Sequence, residues 1–311
     1  MEILDRFRAG EQRALARAIT YAESGHGAEL IRELTPLAGR ALTIGLTGPP
    51  GVGKSTLCAA LVRTVRAQGK TVGVISVDPS SPFSRGALLG DRIRLTEHFV
   101  DPEVFIRSMA SRGHLGGLAG ATGDAVTLMD AFGKDVIVIE TVGVGQSEVE
   151  IADLADTTVV VLQPGSGDSV QLLKAGILEV ADIFVINKAD HPLANHLVRE
   201  IRSMMELSDH SRGVPQLVTT RATEGTGVDE LWESIVRHAE GLRSSGELPE
   251  RRRRAFLHRV RQLVVGAAAR WADDLLAVRA AGEPADPYAC AAEILDHLHL
   301  PAAQGGSPWP K

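Results

Sequence analysis

The run Gly48-Pro49-Pro50-Gly51-Val52-Gly53-Lys54-Ser55 matches G-x-x-x-x-G-K-[ST] at every fixed position and constrains the fold more tightly than any other stretch. The apolar segment before it, 41–46, is short enough for a buried strand. Residues 56–68 after it space their apolar side chains helically and stop at Gly69. Strand, glycine loop and helix in that order let backbone N–H groups converge on phosphate oxygens at the positive end of a helix. Gly48 to Thr56 are therefore predicted to bind a nucleotide. Lys54 would reach the β- and γ-phosphates, and the Ser55 hydroxyl would join a Mg²⁺ shell.

The base is indicated by Asn187-Lys188-Ala189-Asp190, which follows the apolar run 183–186. A carboxylate at a strand end accepts two hydrogen bonds from the N1–H and N2–H₂ edge of guanine, a donor pair that adenine lacks. Asn187 is expected to brace the loop and Lys188 to lie along the base plane; the bland reading makes Asp190 a helix N-cap. A third guanine element is expected at Thr220-Arg221-Ala222-Thr223, where many GTPases carry Ser-Ala-x and where a backbone N–H near Ala222 could contact the guanine carbonyl.

Two further strand ends carry carboxylates, Asp78 after 72–77 and Glu140 after 136–139. Mg²⁺ prefers hard oxygen ligands and keeps several waters, so Asp78 and Glu140 are candidates for direct or water-mediated contact. Gly143 would offer its N–H to the γ-phosphate. Asp91 either belongs to a segment closing over the nucleotide or caps a helix. The segment Gln163-Pro164-Gly165-Ser166-Gly167-Asp168 is a second glycine loop on the same edge, either a further switch or partner contact, or only a turn.

Strands are predicted at 41–46, 71–77, 103–108, 135–140, 157–162, 182–187 and 215–220, with helical or loop segments between them. That alternation implies an α/β fold of three layers with a mostly parallel central sheet. The expected organisation is an N-terminal helical extension (1–40), a nucleotide-binding domain (41–243), a C-terminal helical arm (248–300) and a flexible tail (301–311). In the arm, Phe256, Val260, Leu263, Ala267 and Trp271 form a stripe that packs either on the core or on a second chain. Arg251–Arg254 reads as a solvated helix start rather than a nucleic-acid patch.

The formal net charge of −6 disfavours nucleic acid as a partner. Cys58 and Cys290 are too few for a disulfide framework, and Cys58 is expected to be a buried small hydrophobe. No apolar run reaches the ~18 residues of a membrane span, and no signal-peptide core stands at the N-terminus. The cytosol is the expected setting.

Together, Gly48–Thr56, Val77-Asp78-Pro79-Ser80-Ser81-Pro82, Glu140-Thr141-Val142-Gly143-Val144-Gly145-Gln146-Ser147-Glu148, Gln163–Asp168 and Asn187–Asp190 resemble the MeaB/ArgK family of P-loop GTPases, as does Arg13–Thr20. The resemblance runs from about residue 5 to about 280. It implies a GTPase chaperone for adenosylcobalamin-dependent methylmalonyl-CoA mutase or a related acyl-CoA mutase, gating cofactor delivery and protecting the enzyme. It also implies a homodimer joined by the C-terminal helices, and a switch role for Gln163–Lys174. Arg221 departs from the family pattern, and Asp209–Val214 is short for its loop.

The chemistry expected is in-line attack of water on the γ-phosphate of Mg²⁺·GTP. Lys54, the loop amides, Glu140 and Gly143 are the catalytic set, and Ser55, Asp78, Asp91 and Glu140 the metal set. Two rival readings are a kinase, including the older transport-kinase label of the same family, and a nickel-insertion GTPase. The latter would need Cys/His ligand clusters, whereas the ten histidines are scattered.

Overall fold

The computed structural model describes residues 2–79, 95, 97–111, 119–141, 151–165, 180–207, 214–279, 286–288, 290–291 and 294. Three short helices come first: α1 (Glu2–Arg8), α2 (Gln12–Glu23) and α3 (Ala28–Leu34). Then follow β1 (Leu42–Thr47), α4 (Lys54–Ala67), β2 (Val72–Pro79), β3 (Val104–Ser111), α5 (Ala119–Ala131) and β4 (Val136–Thr141). A 3₁₀ turn (Ile151–Asp153) leads to β5 (Thr157–Leu162), β6 (Ile183–Ile186), α6 (Ala194–Leu207), β7 (Gln216–Thr219), α7 (Val228–Ser245) and α8 (Glu247–Arg279).

The strands form one seven-stranded sheet in the order β3-β2-β4-β1-β5-β6-β7, and every pairing is parallel. The sequence predicted a mostly parallel sheet; each of its seven strands is present, with ends shifted by a residue or more for all but 157–162. Both faces are covered, so the strands are apolar on both sides and alternate only in which layer they feed. Ile44, Leu46, Val136, Val138, Val159, Val161, Ile183 and Val185 pack with α4 and α7 in one layer. Ile137 and Ile139 pack with α5 and the N-terminal helices in the other, where Val160, Leu162, Phe184 and Ile186 meet α6. Phe184 is fully buried.

The amino-terminal edge of the sheet is closed by carboxylates. Asp130 accepts from the amides of Gly39, Arg40 and Ala41, and Asp156 from Thr43 N at 3.2 Å. Asp182 accepts from Thr158 N at 2.7 Å. Here the arginine run departs from the sequence reading. Arg251 donates to Asp182 at 2.8 Å and Arg252 to Asp156 at 2.7 Å. Arg252 also reaches the carbonyls of Gly39 and Ala41. A buried carboxylate without a cation would be costly, which is why these two side chains turn inward rather than into solvent. Arg253, by contrast, is exposed beside Glu250. Arg252→Ala is therefore expected to cost about 3 kcal/mol in urea unfolding, whereas Arg253→Ala should change stability by about 0.5 kcal/mol or less.

By internal contacts the chain divides into two compact units, 1–262 and 263–311. In the first, α2 lies against α5 and joins its core, and Gly10 and Gly25 mark the breaks after α1 and α2 with positive φ. On α8, Phe256, Leu257, Val260, Leu263 and Val264 are exposed. Among the described residues no helix is long and apolar enough to cross a membrane. The sequence-predicted tail lies outside the described residues.

Candidate functional site

The site sits at the carboxyl edge of the sheet, where β1, β4, β5 and β6 end side by side. In open α/β sheets that edge is where ligands bind. The loop leaving β1 is shaped by close approach: Gly48 has φ 138°, and a Cβ there would lie 2.1 Å from the Val161 carbonyl oxygen. No larger residue fits. Gly53 has φ 94° and caps α4 without a side-chain hydrogen bond to the first amides of that helix, whose N-terminus carries partial positive charge. Lys54 is buried and donates to the carbonyls of Gly48 at 2.5 Å and Pro49 at 2.9 Å. Its ammonium thus lies within the loop it is expected to serve.

Ser55 follows on α4 and donates from Oγ to Glu140 Oε1 at 2.5 Å. Glu140 is buried on β4, in register with Leu46 of β1 and Ser76 of β2. A hydroxyl and a carboxylate this close form a pair of hard oxygen donors of the kind Mg²⁺ takes, so the donor set fits that ion. Beside them the Thr141 hydroxyl donates to that of Thr47 at 3.2 Å, tying the ends of β4 and β1 together. Cys58, one turn further along α4, is buried as expected. Its thiol is pushed well up, by burial first and the Glu140 charge second, which keeps it protonated and inert.

Asn187 is the hub of the base side. Its Nδ2 donates to the Val52 carbonyl at 2.8 Å, and its Oδ1 accepts from the Thr220 hydroxyl and the Ala222 amide, both at 3.1 Å. One buried amide therefore joins the phosphate loop to the turn after β7. The sequence suggested a backbone N–H near Ala222 for the guanine carbonyl; that of Ala222 itself donates to Asn187. Arg221 pairs with Glu224 at 2.8 Å, and its backbone bridges to Thr226. Lys188 has φ 55°, in the left-handed region, and its Nζ donates to the Gly51 carbonyl at 3.0 Å and to Gln163 Oε1 at 2.5 Å. Asp190 is exposed one turn on, and Thr223 is exposed beyond Ala222.

The fold thus brings together Gly48 to Thr56, Glu140, Asn187 to Asp190 and the turn at 220–223. Asp78 is described through its backbone alone, at the end of β2 opposite Ala110 of β3. Asp91, Gly143 and Gln146 lie outside the described residues. Sequence reasoning missed the hydroxyl pair Thr47 and Thr141, for which a polar residue closing an apolar strand is the only signal. It also read Gln163 as part of a loop without giving its side chain a role.

The family model described as methylmalonyl Co-A mutase-associated GTPase MeaB matches residues 15–273. A Pyrococcus abyssi protein, named provisionally as a GTPase, is 47% identical over 311 residues, covering 96% of each chain. The GTPase ArgK of Escherichia coli K12 is 38% identical over 274 residues, covering 84% of this chain and 82% of its own. A crystal structure titled LAO/AO transport system kinase superimposes with a TM-score of 0.69 at 27% identity, covering 96% of this chain and 97% of that one. The chain belongs to the MeaB family of mutase-associated P-loop GTPases and is a GTP hydrolase.

Proposed function

We propose that this GTPase serves an adenosylcobalamin-dependent acyl-CoA mutase, methylmalonyl-CoA mutase or a close relative, gating cofactor delivery and protecting the loaded enzyme. The match to a mutase-associated family across residues 15–273 is the observation that carries the client. The site supports the chemistry. Lys54 and the α4 amides would hold the β- and γ-phosphates and neutralise charge that grows on them as water attacks in line. Ser55 and Glu140, with Asp78 at the end of β2, would hold Mg²⁺, which would supply Lewis-acid stabilisation of charge on the phosphates. Asp190 would read the guanine edge, and Asn187 would keep the phosphate and base loops in register.

The proposed assembly is a homodimer. The exposed row Phe256, Val260, Leu263 and Val264 on α8 gives a second copy an apolar seam at three- and four-residue spacing. The absence of an evident cationic finger in the sequence makes slow intrinsic turnover the expectation.

Phosphate release from GTP by the purified chain should be slow and should rise about tenfold or more when the mutase apoenzyme is added. Label from γ-³²P-GTP should appear as inorganic phosphate rather than on an added protein. Fast turnover without a partner, or no response to any acyl-CoA mutase, would overturn the client assignment.

A further inference from the structure

We propose that Gln163 is a positioning residue of the guanine site, holding the Lys188 side chain beside the base through its own side-chain carbonyl. This rests on the guanine reading above. Strands β5 and β6 run in register from Val159 opposite Ile183 to Leu162 opposite Ile186. The Asn187 N–H then donates to the Leu162 carbonyl at 2.8 Å, extending the ladder one step beyond β6. The residues leaving the two strands are therefore neighbours.

Lys188 is the one described non-glycine residue with positive φ, at 55°, so the turn itself fixes where its side chain starts. The far end is fixed by two acceptors on different elements, Gly51 O of the phosphate loop and Gln163 Oε1 at the exit of β5. Its methylenes are thereby strung between the two. A long flexible side chain normally loses rotamer freedom when a ligand arrives. One tethered at both ends has given up much of that freedom beforehand and binds with less penalty. Glutamine can do this because its side-chain carbonyl oxygen accepts a hydrogen bond from the ammonium. The exit turn meets the guanine turn a second time: a Cβ on Gly165 would stand 3.4 Å from His191 Cε1. Lys188 and His191 thus both adjoin the described start of the second glycine loop, at Gln163 and Gly165.

The test is the release rate of a fluorescent GDP analogue from the full-length chain with Mg²⁺, alongside thermal melting without nucleotide. Gln163→Leu should speed release about fivefold to tenfold and leave the nucleotide-free melting temperature unchanged. Gln163→Glu, which keeps an acceptor oxygen, should release GDP at the wild-type rate or more slowly. In a Lys188→Met background, Gln163→Leu should have no further effect. Unaltered release from Gln163→Leu, the same acceleration in the Lys188→Met background, or failure of Gln163→Glu to restore retention would sink the Gln163 assignment alone. If the wild-type chain held no GDP, the guanine reading would fall and this assignment with it.

Discussion

Asp190→Asn is expected to lower GTP affinity by about 10³-fold while creating affinity for xanthosine triphosphate. The carboxylate of Asp190 would offer two acceptors to the N1–H and N2–H₂ of guanine. An asparagine keeps one acceptor and would present an N–H₂ to the guanine amino group, so two donors would face each other. A site built to make a hydrogen bond discriminates strongly against a partner that cannot complete it. Xanthine carries a carbonyl where guanine carries the amino group, which restores complementarity to the variant. The framework around residue 190 should not move, because the Ala189 N–H is held by the Thr220 carbonyl at 3.1 Å and the His191 N–H by the Lys188 carbonyl at 3.0 Å. Isothermal titration of both nucleotides against both proteins, with Mg²⁺, measures the switch. Unchanged GTP binding by the variant would remove Asp190 from the base site.

Lys54→Met should reduce single-turnover GTP cleavage by about 10²- to 10³-fold or more. Methionine preserves the length and most of the volume of the buried stem, so the loop loses a charge and little packing. The ammonium donates to Gly48 O and Pro49 O; with GTP bound it would be aimed at oxygens whose charge rises as the bond to the γ-phosphorus breaks. The loss should accordingly fall more on the chemical step than on GDP affinity. Rapid-quench measurement at saturating GTP separates the two. A variant that cleaves at the wild-type rate would show that the positive charge stabilising the transition state comes from elsewhere.

The carboxyl edge was legible because its signals are short-range. Gly48–Ser55 folds on itself, and the hydrophobic runs that end at Thr47, Glu140, Leu162 and Asn187 announce strands whose ends must lie together in a parallel sheet. Asn187 could be named from its motif, but its span from Val52 to Ala222 joins positions far apart in the chain and appears only in three dimensions. The amino edge was illegible for the same reason. Nothing local in Arg251-Arg252 says that their partners are Asp182 and Asp156, 69 and 96 residues earlier. A charge run beside Glu247 and Glu250 reads as solvated whenever its distant partners are unknown. The departure at Arg221 was visible, and its ion pair with Glu224 within the same turn explains how a bulky cation is accommodated there.

The ion pairs of Arg251 with Asp182 and Arg252 with Asp156 have a consequence for vectorial synthesis. The ribosome delivers Asp156 and Asp182 long before Arg251 and Arg252, so a nascent chain must assemble its sheet with two sequestered anions lacking their counterions. Final consolidation then waits on the last helix, and a chain cut short between Ser245 and Arg251 should be rescued poorly and captured by holding chaperones. Only a polypeptide extended past Arg252 can therefore close the amino-terminal edge of the sheet with both ion pairs.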